Sequence, residues 1–241
     1  MKAMMARCVL AVGILGVIFA SEKANAATGN QFLLDNVFSG QSTPPAQPGP
    51  WVSATFVDVS AGAVRLTVTN VGLSSGEFLS GLYFNLNPAD NVTNLSFGLV
   101  SSNGSFALPT ISQATDNFKA DGDGKYDILL SFGTANGTTF TVNDSVTYLI
   151  TGISNLVASD FDYLSMPAGG AGPYYAAAHY QGTPPNNGQS CWIQPSHGPQ
   201  ILAAPEASSV ALLALGAGCL LLFRSYRPPV LARVPARRRV Q

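Results

Sequence analysis

Val64, Leu66 and Val68 alternate with Arg65, Thr67 and Thr69, and this two-residue rhythm is what most restricts the fold. Successive side chains of a strand point to opposite faces, so apolar–polar alternation marks a strand with one buried face. The rhythm returns at Leu82, Phe84 and Leu86, at Tyr126, Ile128, Leu130 and Phe132, and at Val146, Tyr148 and Ile150. Trp51–Val59, Val92–Leu99 and Thr138–Val142 are further strand candidates, with turn signals at Ser75-Gly76, Asn103-Gly104 and Asn136-Gly137. No long segment carries a 3.6-residue period. The expectation is an all-β domain over residues 51–193, a single antiparallel β-sandwich of jelly-roll or immunoglobulin-like type. Tyr174–Tyr180 and Cys191–Ile193 are expected as short strands closing a sheet edge.

Two apolar runs bracket this domain. At the start, Lys2 and Arg7 precede the apolar Cys8–Ala20, and Ala24-Asn25-Ala26 supplies the small-x-small pattern of a cleavage site. Residues 1–26 therefore read as a signal peptide, removed by signal peptidase between Ala26 and Ala27. Cys8 follows Met5-Ala6-Arg7 and stands at the head of the apolar run rather than after it, which excludes a lipoprotein box. Residues 27–50 end in TPPAQPGP and read as a Pro-rich lead-in, within which Phe32, Leu33, Leu34, Val37 and Phe38 can form an initial strand. Residues 194–204 read as a linker. Beyond it, Ser208–Phe223 is apolar on every side and would run about 24 Å as a helix, somewhat under a ~30 Å hydrocarbon core. Arg224 and Tyr226 extend it at the interface. Arg224, Arg227, Arg233, Arg237, Arg238 and Arg239 follow without an acid, so 208–223 is expected as a transmembrane helix with 224–241 in the cytoplasm.

The order Pro205-Glu206-Ala207, short apolar helix, basic cluster resembles the PEP-CTERM sorting tail of bacterial envelope proteins, with Ala207 where the family usually has proline. The resemblance implies recognition by an exosortase-type sorting enzyme and an association with exopolysaccharide and biofilm. The middle of the chain resembles the uncharacterised β-rich ectodomains found with such tails, in Phe78–Pro88, Phe118–Phe132, Ala176–Gly182 and Cys191–Ile193. That likeness implies a fold and a location but no activity.

Charge narrows the partners. From Ala27 to Ala204 the cations are Arg65, Lys119 and Lys125 against eleven acids, a formal charge of −8. Such a domain repels phosphate backbones, which argues against nucleic acid as a partner. Cys191 is the one cysteine between the end segments, so no internal disulfide framework can form.

Asp121, Asp123 and Asp127 with Gly124 form an Asp-x-Asp-Gly-x-x-Asp loop, a candidate site for a structural Ca²⁺ if the backbone coils around the ion. The alternative is a solvated acidic turn. An EF-hand is excluded, because Lys125 stands where a third loop acid belongs and Phe132 where the closing glutamate belongs. His179 and His197 lack the partner spacing of a zinc site, and no Gly-x-Ser-x-Gly elbow is present, so no catalytic set emerges. Asp160 and Asp162 read as surface charges rather than a glycosidase pair. Tyr174, Tyr175 and Trp192 are candidate glycan contacts, or else pack the sheet. The chain is expected to be an exported, non-catalytic structural or adhesive component of the cell surface or exopolysaccharide matrix. The rival expectations are a β-sandwich carbohydrate-active hydrolase or glycan-binding module, and an unprocessed single-pass membrane protein.

Overall fold

The computed structural model describes residues 28–40, 44–121, 123–170 and 172–203. The cleavage residues Ala24, Ala26 and Ala27, the sorting residues Pro205, Glu206 and Ala207, and the apolar run 208–223 lie outside the described residues. Among the described residues no helix is long and apolar enough to cross a membrane.

The domain is all-β. Its strands are β1 (Gly29–Gly40), β2 (Val52–Ser60), β3 (Ala63–Asn70), β4 (Phe78–Phe84), β5 (Ser96–Asn103), β6 (Thr110–Lys119), β7 (Gly124–Ser131), β8 (Ser145–Thr151), β9 (Met166–Pro167), β10 (Ala176–Thr183), β11 (Gln189–Pro195) and β12 (Gln200–Leu202). Short 3₁₀ turns lie at Val92–Asn94 and Ala158–Phe161. The strands form one antiparallel sheet in the order β5-β8-β3-β2-β1-β11-β10-β4-β7-β6, with β12 added to β1 and β9 to β7.

One sheet makes a core because it folds over on itself. Phe56 on β2 and Phe84 on β4 are four strand positions apart, roughly 19 Å in a flat sheet. Their rings instead meet edge to face at 5.1 Å. Phe32 packs on Phe56 at 6.0 Å, and Phe161 stacks on Phe56 at 4.3 Å. Leu34, Leu66, Leu82, Leu130, Ile150 and Tyr180 are fully buried in the same cluster. Asn70, also fully buried, ties the layers together: its Nδ2 donates to the Phe140 carbonyl at 2.7 Å, and its Oδ1 accepts from the Tyr180 hydroxyl at 2.7 Å. The sandwich is therefore built from the two halves of a continuous sheet.

The boundaries drawn from sequence shift at both ends. The segment expected as a lead-in contains β1, which pairs with β2 on one side and with β11 and β12 on the other. Its prolines begin only at Pro44, after the strand, so they never interrupt its ladder. The expected linker likewise contributes β12. Thr138–Val142 is not a strand: Phe140 makes one bridge to Leu79, and its ring fills the core at 4.6 Å from both Phe106 and Phe132. Val92–Leu99 divides into a 3₁₀ turn and the start of β5.

The pairing of β6 with β7 contains the largest irregularity. Gln113 faces Ile128 and Phe118 faces Tyr126, so Ala114–Asn117 bulges out opposite Asp127 alone. The bulge bends the β6–β7 hairpin.

Candidate functional site on the outer sheet face

Alternation assigns the faces. On β4, Leu82 and Phe84 enter the main core while Tyr83 does not; on β10, Ala176, Ala178 and Tyr180 enter it while Ala177 does not; on β11, Cys191 and Ile193 enter it while Trp192 does not. The excluded residues form a second cluster on the outward face, where Tyr83, Ala120, Tyr126 and Ala177 are buried against Phe38, Phe118, Leu129 and Trp192. Ala120 comes from the β6–β7 turn, which lies over this face.

At the centre is an aromatic stack. Trp192 and His179 are paired directly across β11 and β10, and their rings lie 4.3 Å apart at 15°. Tyr83 approaches Trp192 at 5.5 Å and leans over Gly81, where an added Cβ would stand 3.1 Å from the Tyr83 ring. Gly81 faces His179 from β4, so its missing side chain lets the aromatic group lie flat on the sheet. Trp192 and His179 are half-buried.

A β-bulge delivers a hydroxyl to the stack. The β4–β10 register shifts between His179 and Tyr180, which leaves Ser80 as an extra residue between the core side chains Leu79 and Leu82. Ser80 Oγ lies 3.0 Å from His179 Nδ1 and donates to the His179 carbonyl at 3.1 Å. Burial lowers the pKa of His179, against the opposing charge of Asp121. Burial therefore favours the neutral imidazole at pH 7.

The acidic loop supplies the rim of this face, but it does not form one ligand set. Asp121 accepts a hydrogen bond from Ser39 Oγ on β1. Asp123 is 2% exposed, and its Oδ2 accepts from the Tyr126 hydroxyl at 3.0 Å. Its Oδ1 has no partner of hydrogen-bond geometry among the described residues, although the Gly172 backbone lies beside it. Burial raises the carboxyl's pKa, and the Tyr126 bond only partly offsets this. Asp127 turns elsewhere: its Oδ1 accepts from the Asp116 N–H at 2.7 Å and its Oδ2 from the Leu86 N–H at 3.0 Å, so it braces the bulge.

The expected coil around an ion is absent because β7 already begins at Gly124. At about 3.3 Å of rise per residue, Asp123 and Asp127 are held roughly 13 Å apart along the chain. Asp127 instead lines a separate recess of about 260 Å³ with Asn85, Asn87, Asp90, Asp116 and Tyr163. Among the described residues no group of three or more His, Cys, Asp or Glu is placed to hold a metal.

The expected glycan contacts divide in the same way. Tyr174 lies on the outward face, 4.9 Å from Phe38, tied down by its N–H donating to Ser165 Oγ at 3.1 Å. Tyr175, its neighbour, packs against the main core, 6.4 Å from Phe32. Trp192 is on the outward face with Tyr174. The fold therefore gathers Asp121, Asp123, Tyr174 and Trp192 on one face and removes Asp127 and Tyr175 from it. His179 and Ser80 escape sequence reading because their pairing depends on strand register and a bulge, neither of which leaves a motif. Cys191 is buried in the main core, and burial pushes its thiol up to about 12, so it stays protonated and unreactive. Asp160 accepts from the Val157 N–H at 2.9 Å and from Asn87 Nδ2 at 3.2 Å, which makes it a brace for the 3₁₀ turn.

No protein-family model and no curated protein sequence matches the chain. Among solved structures, the chain resembles biomass-sensing modules from Rsgi-like proteins of Clostridium thermocellum, themselves described as resembling the family 3 carbohydrate-binding module of the cellulosome. Identity is 13%, the match covers 64% of this chain and 91% of that one, and the TM-score of 0.26 is too low to extend either fold or ligand to this chain.

Proposed function

We propose that the chain is an exported, non-catalytic glycan-binding component of the cell surface or exopolysaccharide matrix, with the outward face of β1, β11, β10 and β4 as its binding face. The observation that carries this reading is the half-buried Trp192–His179 stack edged by Asp121, Ser39 and Tyr174. Sugar rings offer apolar C–H faces and a rim of hydroxyls. Flat aromatic surface accepts the first, and a carboxylate beside hydroxyl groups accepts the second. The acidic balance of the domain suits neutral or cationic glycans better than anionic ones.

Delivery belongs to the ends of the chain. Residues 1–26 direct export, and the PEP-CTERM-like tail over 205–241 directs sorting by an exosortase-type enzyme, after a transient stay in the inner membrane. Intact mass of the protein recovered from its native host tests this part. A form running from Ala27 to near Pro205 is expected. A form still ending at Gln241 would leave an ordinary membrane anchor.

The Ser80–His179 pair favours a second reading, a serine-dependent hydrolase. Incubating the full chain with labelled polysaccharide separates the two. Retention of unshortened glycan is expected; release of shorter products that stops on Ser80→Ala would replace the non-catalytic reading.

A further inference from the structure

Four residues form one row across the outer face: Ser39 of β1 pairs with Trp192 of β11, Trp192 with His179 of β10, and His179 with Gly81 of β4. Residues paired directly across strands share a face of the sheet. The Trp192 and His179 rings are nearly parallel with centroids 4.3 Å apart, too close for rings lying edge to edge, so they meet face to face along the row. The other face of the indole therefore turns toward Ser39, a side chain too short to cover it. Asp121, an exposed residue, is held at this end of the row by the Ser39 hydroxyl.

His179 presents a second acceptor. Ser80 Oγ has one proton and donates it to the His179 carbonyl, which can only accept. Its contact with Nδ1 must then run the other way, with Nδ1–H donating to Oγ. In a neutral imidazole this leaves Nε2 with its lone pair. Among the described residues Nε2 has no hydrogen-bond partner and is not one of the enclosed, unpartnered atoms, so it opens onto the face. The indole is thus flanked by a carboxylate and a bare nitrogen, neither of which can donate. The domain around them carries −8. A ligand that fits this row brings hydrogen-bond donors, and positive charge beside Asp121.

We propose that the outer face takes an amino sugar, with its ring on the indole of Trp192, its ammonium on Asp121 and a hydroxyl on His179 Nε2. The inference rests on the glycan reading of this face and names the class of sugar. An ammonium has three donors and no acceptor, which matches the carboxylate. An N-acetylated sugar keeps the ring but loses the charge, and a uronic acid brings the wrong sign.

Calorimetric titration of the full chain in detergent, with glucosamine oligosaccharides and with their N-acetylated counterparts at pH 7 and low salt, tests the proposal. The free-amine form should bind about tenfold or more tightly, and this advantage should shrink as added salt screens Asp121. Asp121→Asn should bring the two affinities to near parity, and Trp192→Ala should weaken both. If circular dichroism shows that Asp121→Asn is misfolded, long-range proton–nitrogen NMR of the native chain decides instead. A bare His179 Nε2 whose signal moves on adding the glucosamine oligosaccharide is expected there, and a proton resident on Nε2 overturns the proposal. Equal affinities, a preference untouched by Asp121→Asn, or no binding of either oligosaccharide also overturns it. The glycan reading stands or falls separately, on whether the host's exopolysaccharide retards the native chain in a gel.

Discussion

The inner and outer faces of β1, β11, β10 and β4 are both aromatic, yet they are finished differently. On the inner face Phe32, Phe84, Tyr180 and Ile193 are closed off from solvent, and the buried Asn70 amide has a partner for both its nitrogen and its oxygen. On the outer face Trp192 and Tyr174 keep contact with solvent, a neutral histidine stacks on the indole, and among the described residues one oxygen of the buried Asp123 has no partner of hydrogen-bond geometry. A core cannot tolerate that last arrangement at many places, because an unpaired buried oxygen costs about 1–3 kcal/mol. The same strands thus carry stability on one side and chemistry on the other.

The inner face should carry most of the stability. Phe56→Ala removes a ring touching Phe32, Phe84 and Phe161 and should cost about 3–5 kcal/mol of unfolding free energy in denaturant titration. A loss under 1 kcal/mol would mean that the two halves of the sheet do not share one core. Asp127→Ala strips the acceptor from two backbone N–H groups and should cost about 3 kcal/mol. Asp127→Asn, which keeps one acceptor, should lose clearly less, and adding Ca²⁺ should change neither value.

The outer face should respond weakly in stability and strongly in binding. Trp192→Ala loses its stack on His179 and its contact with Tyr83, about 1–3 kcal/mol and less than Phe56→Ala. Asp123→Asn sharpens the contrast through pH. The Asp123 carboxyl titrates above 3.8 when folded, so the native state holds the extra proton between 3.8 and that higher value. Stability therefore falls as pH rises through this window, and the cost persists above it. Asp123→Asn should melt higher than the native protein at pH 7, with the gap closing as pH drops below the window. A constant gap at all pH values would show that the carboxyl is not destabilised by its burial.

Much of the fold is legible in the chain. The alternations at Val64–Val68 and Val146–Ile150 become β3 and β8, which pair in the register that brings Leu66 opposite Tyr148. β6 is invisible beforehand because it is an exposed edge strand whose polar sequence needs no alternation. β1 is hidden behind the prolines that follow it. The candidate site is legible only in fragments. Trp192, Tyr174 and the acidic loop stand out by composition, but what joins them is strand order and facing, which set β11 beside β1 and β10 and lay the β6–β7 turn over the same face. Structure likewise decides what composition could not: just before β10, Tyr174 turns to Phe38 on the outer face and Tyr175 to Phe32 in the core, and the extended β7 keeps Asp123 and Asp127 from converging.

Affinity electrophoresis of the full chain through a gel containing its host's exopolysaccharide tests the glycan reading most directly. Native protein should be retarded, Trp192→Ala and His179→Ala should each migrate freely while keeping a native circular dichroism spectrum, and Val59→Lys should be retarded like the native chain. Undiminished retardation of both stack variants would contradict the assignment of this face.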